Sequence, residues 1–180
     1  MQTSGTHDHL RDLSDESLWK AYVDGHDEAF AEVRRRYQGL LFRYLALSLN
    51  DVRAAAQQLG TVLCMAAAWR KPYEGFDSLK GWLLAVATQQ VVPAHWREDH
   101  GLTEFLTDLK RREPVSAAEQ IRHALADMKR EERQPFLLVV AGGLSIAEAA
   151  KACRFTPDHT VRLIARACRE FARSGVFSKE

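Results

Sequence analysis

Apolar residues recur at three- and four-residue spacing along almost the whole chain, and alternation with period two is nearly absent. This pattern predicts an all-α protein. A first helix opens at Ser14, a residue type that caps helix N-termini; it carries Leu18, Tyr22 and Val23 inward and stops at Gly25. A second starts near His26-Asp27 and carries Phe30, Val33, Tyr37, Leu40, Leu41, Tyr44 and Leu45 in one stripe, with Arg34, Arg35 and Arg36 expected on a solvated face. After Asn50-Asp51 an alanine-rich helix runs from about Val52 to Trp69 and closes at Lys71-Pro72. Its nearly all-apolar middle, Leu59 to Ala68, predicts a buried central helix. Ser78 is placed to cap the next, which carries Leu79, Trp82, Leu83, Val86 and Trp96 and which Pro93 is expected to kink or split. Trp82 reads as core.

From Arg97 to Ser116 the chain turns polar and charged, with only a weak amphipathic piece around Leu102, Phe105, Leu106 and Leu109. A second helical block follows from Ala117, with Ile121, Leu125 and Met128, then the apolar run Phe136 to Ala141 behind Pro135. The expected organisation is therefore a flexible tail over 1–11, a helical domain over 12–98, a linker over 99–116, a second helical domain over 117–175 and a tail over 176–180. The mixed run Lys129, Arg130, Glu131, Glu132 and Arg133 reads as a solvated helix end.

The most specific segment lies between Gly143 and Arg162. Ser145 with Glu148 three residues later forms a capping box, and Ala149 and Ala150 are small where two helices must cross closely. Ile146 and Cys153 are expected to face the same interior. A short turn, Arg154-Phe155-Thr156-Pro157, leads into a second helix, with Pro157 in its first turn, where its missing N–H has no partner to lose. This is helix-turn-helix spacing. The second helix is expected to present Asp158, His159, Arg162 and Arg166 outward and to pack Val161, Ile164, Ala165 and Cys168 inward. Alternatively, the segment is an ordinary helical hairpin with a solvated basic face.

Composition narrows the field only a little. The 180 residues are 46% hydrophobic and 27% charged, which suits a globular protein and excludes a disordered polyelectrolyte. A formal charge of +1 does not mark a nucleic-acid protein. Locally, though, Arg154, Arg162, Arg166, Arg169 and Arg173 outnumber Asp158 and Glu170, which makes a basic patch that the net charge conceals. The three cysteines lack C-x-x-C spacing, and no leader or membrane-length apolar run is seen, so a reduced, cytoplasmic protein without membrane insertion is expected. The seven histidines show no paired ligand spacing on one helix. With no nucleophile elbow, P-loop or H-E-x-x-H either, the sequence reads as a non-enzyme needing no cofactor or metal.

The segment "ALADMKREERQPFLLVVAGGLSIAEAAKACRFTPDHTVRLIARACREF", Ala124 to Phe171, resembles the promoter-binding region four of extracytoplasmic-function (ECF) sigma factors, the small two-domain bacterial initiation factors. "LWKAYVDGHDEAFAEVRRRYQGLLFRY" looks like the opening of that family's region two, and "FDSLKGWLLAVATQQVVPAHWR" resembles its promoter-melting segment. The likeness runs in the right order from about Asp12 to Arg173. It implies two helical domains, a region-two bundle and a region-four helix-turn-helix, joined by the polar linker. It also implies core RNA polymerase and promoter DNA as partners, an anti-sigma factor as a further one, a monomer when free, and weak binding to DNA without polymerase. At the minus-thirty-five element the resemblance implies contacts from Arg154, Thr156, Asp158, His159, Thr160, Arg162, Arg166 and Arg169. At the minus-ten element it implies Lys80, Gln89, Gln90, His95, Trp96 and Arg97, and on polymerase Asp51, Gln57, Gln58 and Thr61.

The chain departs from the family's pattern in three places, the last being Pro93, which interrupts the promoter-melting segment. Where family members carry an acidic pair and a Gln-Glu followed by an aromatic residue in the polymerase-gripping helix, this chain has Gln57, Gln58, Thr61, Val62 and Cys64, which cannot supply the same charge-assisted contacts. In the recognition helix, Leu163 and Ile164 stand where polar readers are common. The first departure favours an alternative: a sigma-fold regulatory module that binds an anti-sigma or another protein without initiating transcription. A plain helix-turn-helix repressor is a third reading, but no dimerisation helix is evident.

Overall fold

The computed structural model describes residues 9–98 and 117–174, and every described regular element is helical. After a helical turn at 9–12 come α1 (Asp15–Val23), α2 (Asp27–Leu49), α3 (Val52–Ala68) and α4 (Leu79–Glu98). The second cluster comprises α5 (Ala117–Asp127), α6 (Arg130–Val140), α7 (Ile146–Cys153) and α8 (Pro157–Arg173).

Local chemistry sets the boundaries much as the sequence predicts. The Ser14 hydroxyl accepts from the Ser17 amide at 3.2 Å to open α1, and Gly25, at φ +107°, takes the chain out of it. Asn50 closes α2 in the left-handed conformation at φ 54°, which asparagine tolerates. Asp51 then caps α3 by accepting from the amides of Arg53 and Ala54.

The predicted stripe of α2 is the spine of the first cluster. Val33, Leu41, Tyr44 and Leu45 are fully buried among α1, α3 and α4. Trp82 is core as expected, its ring 5.0 Å from that of Trp19, whose indole N–H donates to the Lys71 carbonyl at 2.9 Å. The Tyr44 hydroxyl is buried against Thr88 Oγ1 at 2.8 Å, and burial pushes that phenol well above its usual range.

Three expectations change here. The alanine-rich α3 is peripheral, not central: Ala54, Ala55, Val62 and Ala66 face the core while Ala56, Gln57, Gly60, Thr61, Cys64 and Met65 are exposed. Small residues on both faces make such a helix look buried in sequence, because alanine suits either side. The helix carrying Pro93 is continuous over its 20 residues, so the proline does not split it; its missing N–H removes a single rung of the backbone ladder. The arginine run is not simply solvated, since Arg36 lies half-buried at the centre of a network.

In that network the Arg36 guanidinium donates to Asp15 at 2.8 Å and to Glu32 at 2.9 Å, and also to the Leu10, Arg11 and Leu13 carbonyls. Tyr37 donates to the other oxygen of Asp15. Arg35 grips Glu32 through two bonds of 2.7 and 2.8 Å. These Arg35 bonds, outweighing desolvation and joined by Arg36, hold the Glu32 carboxyl at about 2 against an ordinary 4.5. A carboxyl whose pKa is depressed on folding adds stability above its unfolded value and loses it as pH falls toward the folded one. Glu32→Gln is therefore expected to flatten the loss of stability between pH 4.5 and about 2, read as urea midpoints across that window. An acid limb as steep as wild type would show that Glu32 does not carry this dependence.

The two clusters are packed together. α6 lies against α2 and α7 against α4, and the buried apolar residues of both clusters form one continuous core. The predicted 99–116 linker lies outside the described residues.

Candidate nucleic-acid interface

The helix-turn-helix forms as its capping chemistry dictates. Ser145 Oγ accepts from the Glu148 amide at 3.2 Å while Glu148 Oε2 accepts from the Ser145 amide at 3.0 Å, so both halves of the capping box are made. Burial would raise the Glu148 carboxyl, but donors from Ser145 and Ser78 and the nearby Lys80 charge hold it below the usual carboxylate range. Arg154 ends α7 in the left-handed conformation at φ 58°. Thr156 then caps α8, accepting from the His159 amide at 3.3 Å, with Pro157 in the first turn.

The exposed face of α8 is basic. Asp158, His159, Arg162, Arg166, Arg169 and Arg173 are all exposed, with Arg154 beside them on the turn. The His159 ring stands edge-on to Phe155 at 5.2 Å, which orients the imidazole at the start of the helix. Such a helix offers guanidinium forks to phosphates and base edges, while its capped N-terminus favours anions.

Several expectations are corrected. Thr160 is fully buried and its hydroxyl donates to the Thr156 carbonyl at 3.0 Å, so it cannot reach DNA. Leu163 is core, which removes the apparent anomaly of an apolar reader. Val161, by contrast, is 46% exposed, and Cys168 is also exposed, so the buried stripe is Thr160, Leu163 and Ala167, one residue out of register with the predicted one. Ile146 is likewise exposed.

The sequence reading missed Glu132. Placed on a solvated run, it is in fact fully buried on α6, with its Oε1 3.1 Å from Arg166 Nη1. Arg133 is buried as well, and donates to the Leu125 carbonyl at 3.1 Å; desolvation holds its guanidinium pKa below the usual range. The available signal was that Glu132 lies one turn before the buried Phe136 and so shares its face. Arg166 is thus a surface guanidinium tethered from below, its side chain 55% exposed.

On the first cluster, Lys80 Nζ donates across to the Gly143 carbonyl at 2.9 Å, Gln89 is exposed and Gln90 half-buried. The side chains of His95, Trp96 and Arg97 lie outside the described residues. On α3, Gln57 and Thr61 are exposed and Gln58 half-buried, while Asp51 is occupied in capping. The structure thus gathers the α8 residues on one face and leaves the α3 residues on a separate one.

Among the described residues no His, Cys, Asp and Glu side chains cluster to hold a metal ion, and no described helix is long and apolar enough to cross a membrane. No protein-family model and no curated protein sequence matches the chain. Among solved structures, the fold resembles that of CnrH in complex with the cytosolic domain of CnrY, with a TM-score of 0.68 at 15% identity over 88% of this chain and 95% of that one. A second match, in the RsbN–BldN complex, has a TM-score of 0.38 at 20% identity, covering 86% of this chain and 97% of that one. The first likeness establishes the arrangement of helices.

Proposed function

We propose that this chain is a sigma factor of the ECF type, which binds core RNA polymerase and directs it to promoters. The observation that carries the reading is the exposed basic face of α8 on a fully capped helix-turn-helix, in a fold shared with CnrH over 88% of the chain. In this mechanism α8 enters the major groove at the minus-thirty-five element. Arg154, Arg166 and Arg169 meet phosphates, and His159 and Arg162 meet base edges, with Thr156 and Asp158 at the helix start. The helix α4, with Lys80 at its start, Gln89 and Gln90 along it and the His95-Trp96-Arg97 segment toward its end, captures the opened minus-ten strand, where aromatic faces and cations together hold unpaired bases. The α3 face around Asp51, Gln57, Gln58 and Thr61 docks on polymerase. An anti-sigma protein is the further partner, and the cytoplasm the site of action.

A second reading, a sigma-fold regulatory module that binds a protein partner without initiating, draws on one observation: exposed Gln57, Thr61, Cys64 and Met65 offer no carboxylate on the α3 face. Run-off transcription with core polymerase separates the two. Under the initiation reading, discrete transcripts are expected, and Arg162→Ala is expected to lower promoter affinity by roughly 10- to 100-fold, the scale of one base-reading contact of about 1–3 kcal/mol. If the chain neither binds core polymerase nor yields transcripts from any genomic fragment, the initiation reading fails and the regulatory reading stands.

A further inference from the structure

Where the end of α2 meets the first turns of α6, hydrogen-bond donors lack acceptors and positive charge is unopposed. Tyr44, hydrogen-bonded to Thr88, has Ser48 one turn on and lies within electrostatic reach of Arg130 and Arg133. Arg133 is buried and spends one nitrogen on the Leu125 carbonyl, but its Nε has no partner. Ser48 Oγ, Asn50 Nδ2 and Gln134 Nε2 are buried and unpartnered as well. Arg130, half-buried, makes no hydrogen bond or ion pair with a described residue.

The neighbouring acids do not answer this charge. Glu131 is exposed, and Glu132 is turned to α8, where Arg166 meets it. Burial holds the guanidinium pKa of both arginines below the usual range, and the Arg130 charge adds to the effect on Arg133. α6 itself starts at Arg130 behind Lys129 with no side-chain cap, so cations sit at the positive end of the helix dipole, where they are unfavourable. Water could satisfy the hydroxyl and the amides, but it cannot neutralise two guanidinium groups.

We propose that Arg130 and Arg133, with Ser48, Asn50 and Gln134, bind one small oxoanion of the phosphate class between α2 and α6. The proposal does not depend on the sigma-factor reading. A tetrahedral oxoanion suits these donors, because guanidinium forks pair with some of its oxygens and leave others for a hydroxyl and an amide. Bound there, it offsets the repulsion between the arginines and ties the end of α2 to α6, so the native state gains stability by linkage.

Titration of the full chain with inorganic phosphate tests this. At constant ionic strength set with chloride, the melting temperature should rise with phosphate, and calorimetric titration should give one phosphate per chain. Arg130→Gln should weaken that binding roughly 10- to 100-fold, the scale of one hydrogen bond to a charged group. The same variant without phosphate should be at least as stable as wild type, since it removes a repelling charge that has no partner. Arg130→Lys keeps the charge but not the fork, and should retain part of the response. A thermal shift that chloride alone reproduces would mean screening and overturns the site. Phosphate binding that survives intact in R130Q, as binding to the exposed arginines of α8 would, also overturns it. So does an R130Q chain that is less stable than wild type without phosphate, because Arg130 would then have a structural partner in the protein itself.

Discussion

Arg166→Ala is expected to destabilise the fold by about 3 kcal/mol, far more than an exposed helix residue ordinarily costs, because it strands Glu132. That carboxylate is fully buried, Arg166 Nη1 is 3.1 Å from its Oε1, and its Oε2 has no hydrogen-bond partner. Removing the guanidinium leaves a buried charge with no compensation. Because Arg166 itself is half-exposed, the cost falls at the low end of that for wholly buried pairs. At about 2–4 °C per kcal/mol for a chain of this size, the melting temperature should fall by roughly 6–12 °C. Replacing both partners, as in E132M/R166A, should recover most of the loss, since the penalty belongs to the orphaned charge. A single variant as stable as wild type, or a double variant no better than the single, would show that the pair does not hold α6 to α8. For the proposed DNA contact, Arg162→Ala is therefore the clean probe, whereas any loss of binding in Arg166→Ala would also include the effect of a weakened fold.

The second large effect is expected at Gly142. A Cβ there would stand 2.5 Å from the Leu138 carbonyl oxygen and 3.0 Å from Leu84 Cδ1, so it meets backbone on its own cluster and a fully buried leucine of α4 on the other. Gly142→Ala should cost about 1–3 kcal/mol, the range for overpacking a well-filled core. The backbone clash cannot be relieved by turning a side chain, and moving away from Leu84 means moving α4. The denaturation midpoint should drop, and amide exchange should quicken on both α4 and α6. Quickening on α6 alone would mean that the two clusters do not share their stability at this seam.

Much of the fold was legible in the sequence because it rests on local physics. Ser14, Asp51, Ser78, Ser145 and Thr156 each cap a helix through an amide two or three residues ahead, and the α2 stripe follows from the 3.6-residue period. On α8 the outward set Asp158, His159, Arg162 and Arg166 was also readable, being polar against an apolar stripe. Burial of the remainder was not. Alanine and glycine are at home on either face, so α3 looked central, and a threonine as small as Thr160 passed for a reader when its hydroxyl was spent on the preceding turn.

By itself, then, the sequence determined the all-helical class, the element boundaries, the helix-turn-helix and its basic face, since each arises within one or two helical turns. Only the tertiary structure decided that Glu132 is buried under Arg166, 34 residues away. The same holds for Lys80 reaching Gly143 across 63 residues and Ser78 meeting Glu148 across 70. Whether a charge is solvated or enclosed depends on which distant surface covers it, and no periodicity along the chain encodes the identity of that surface.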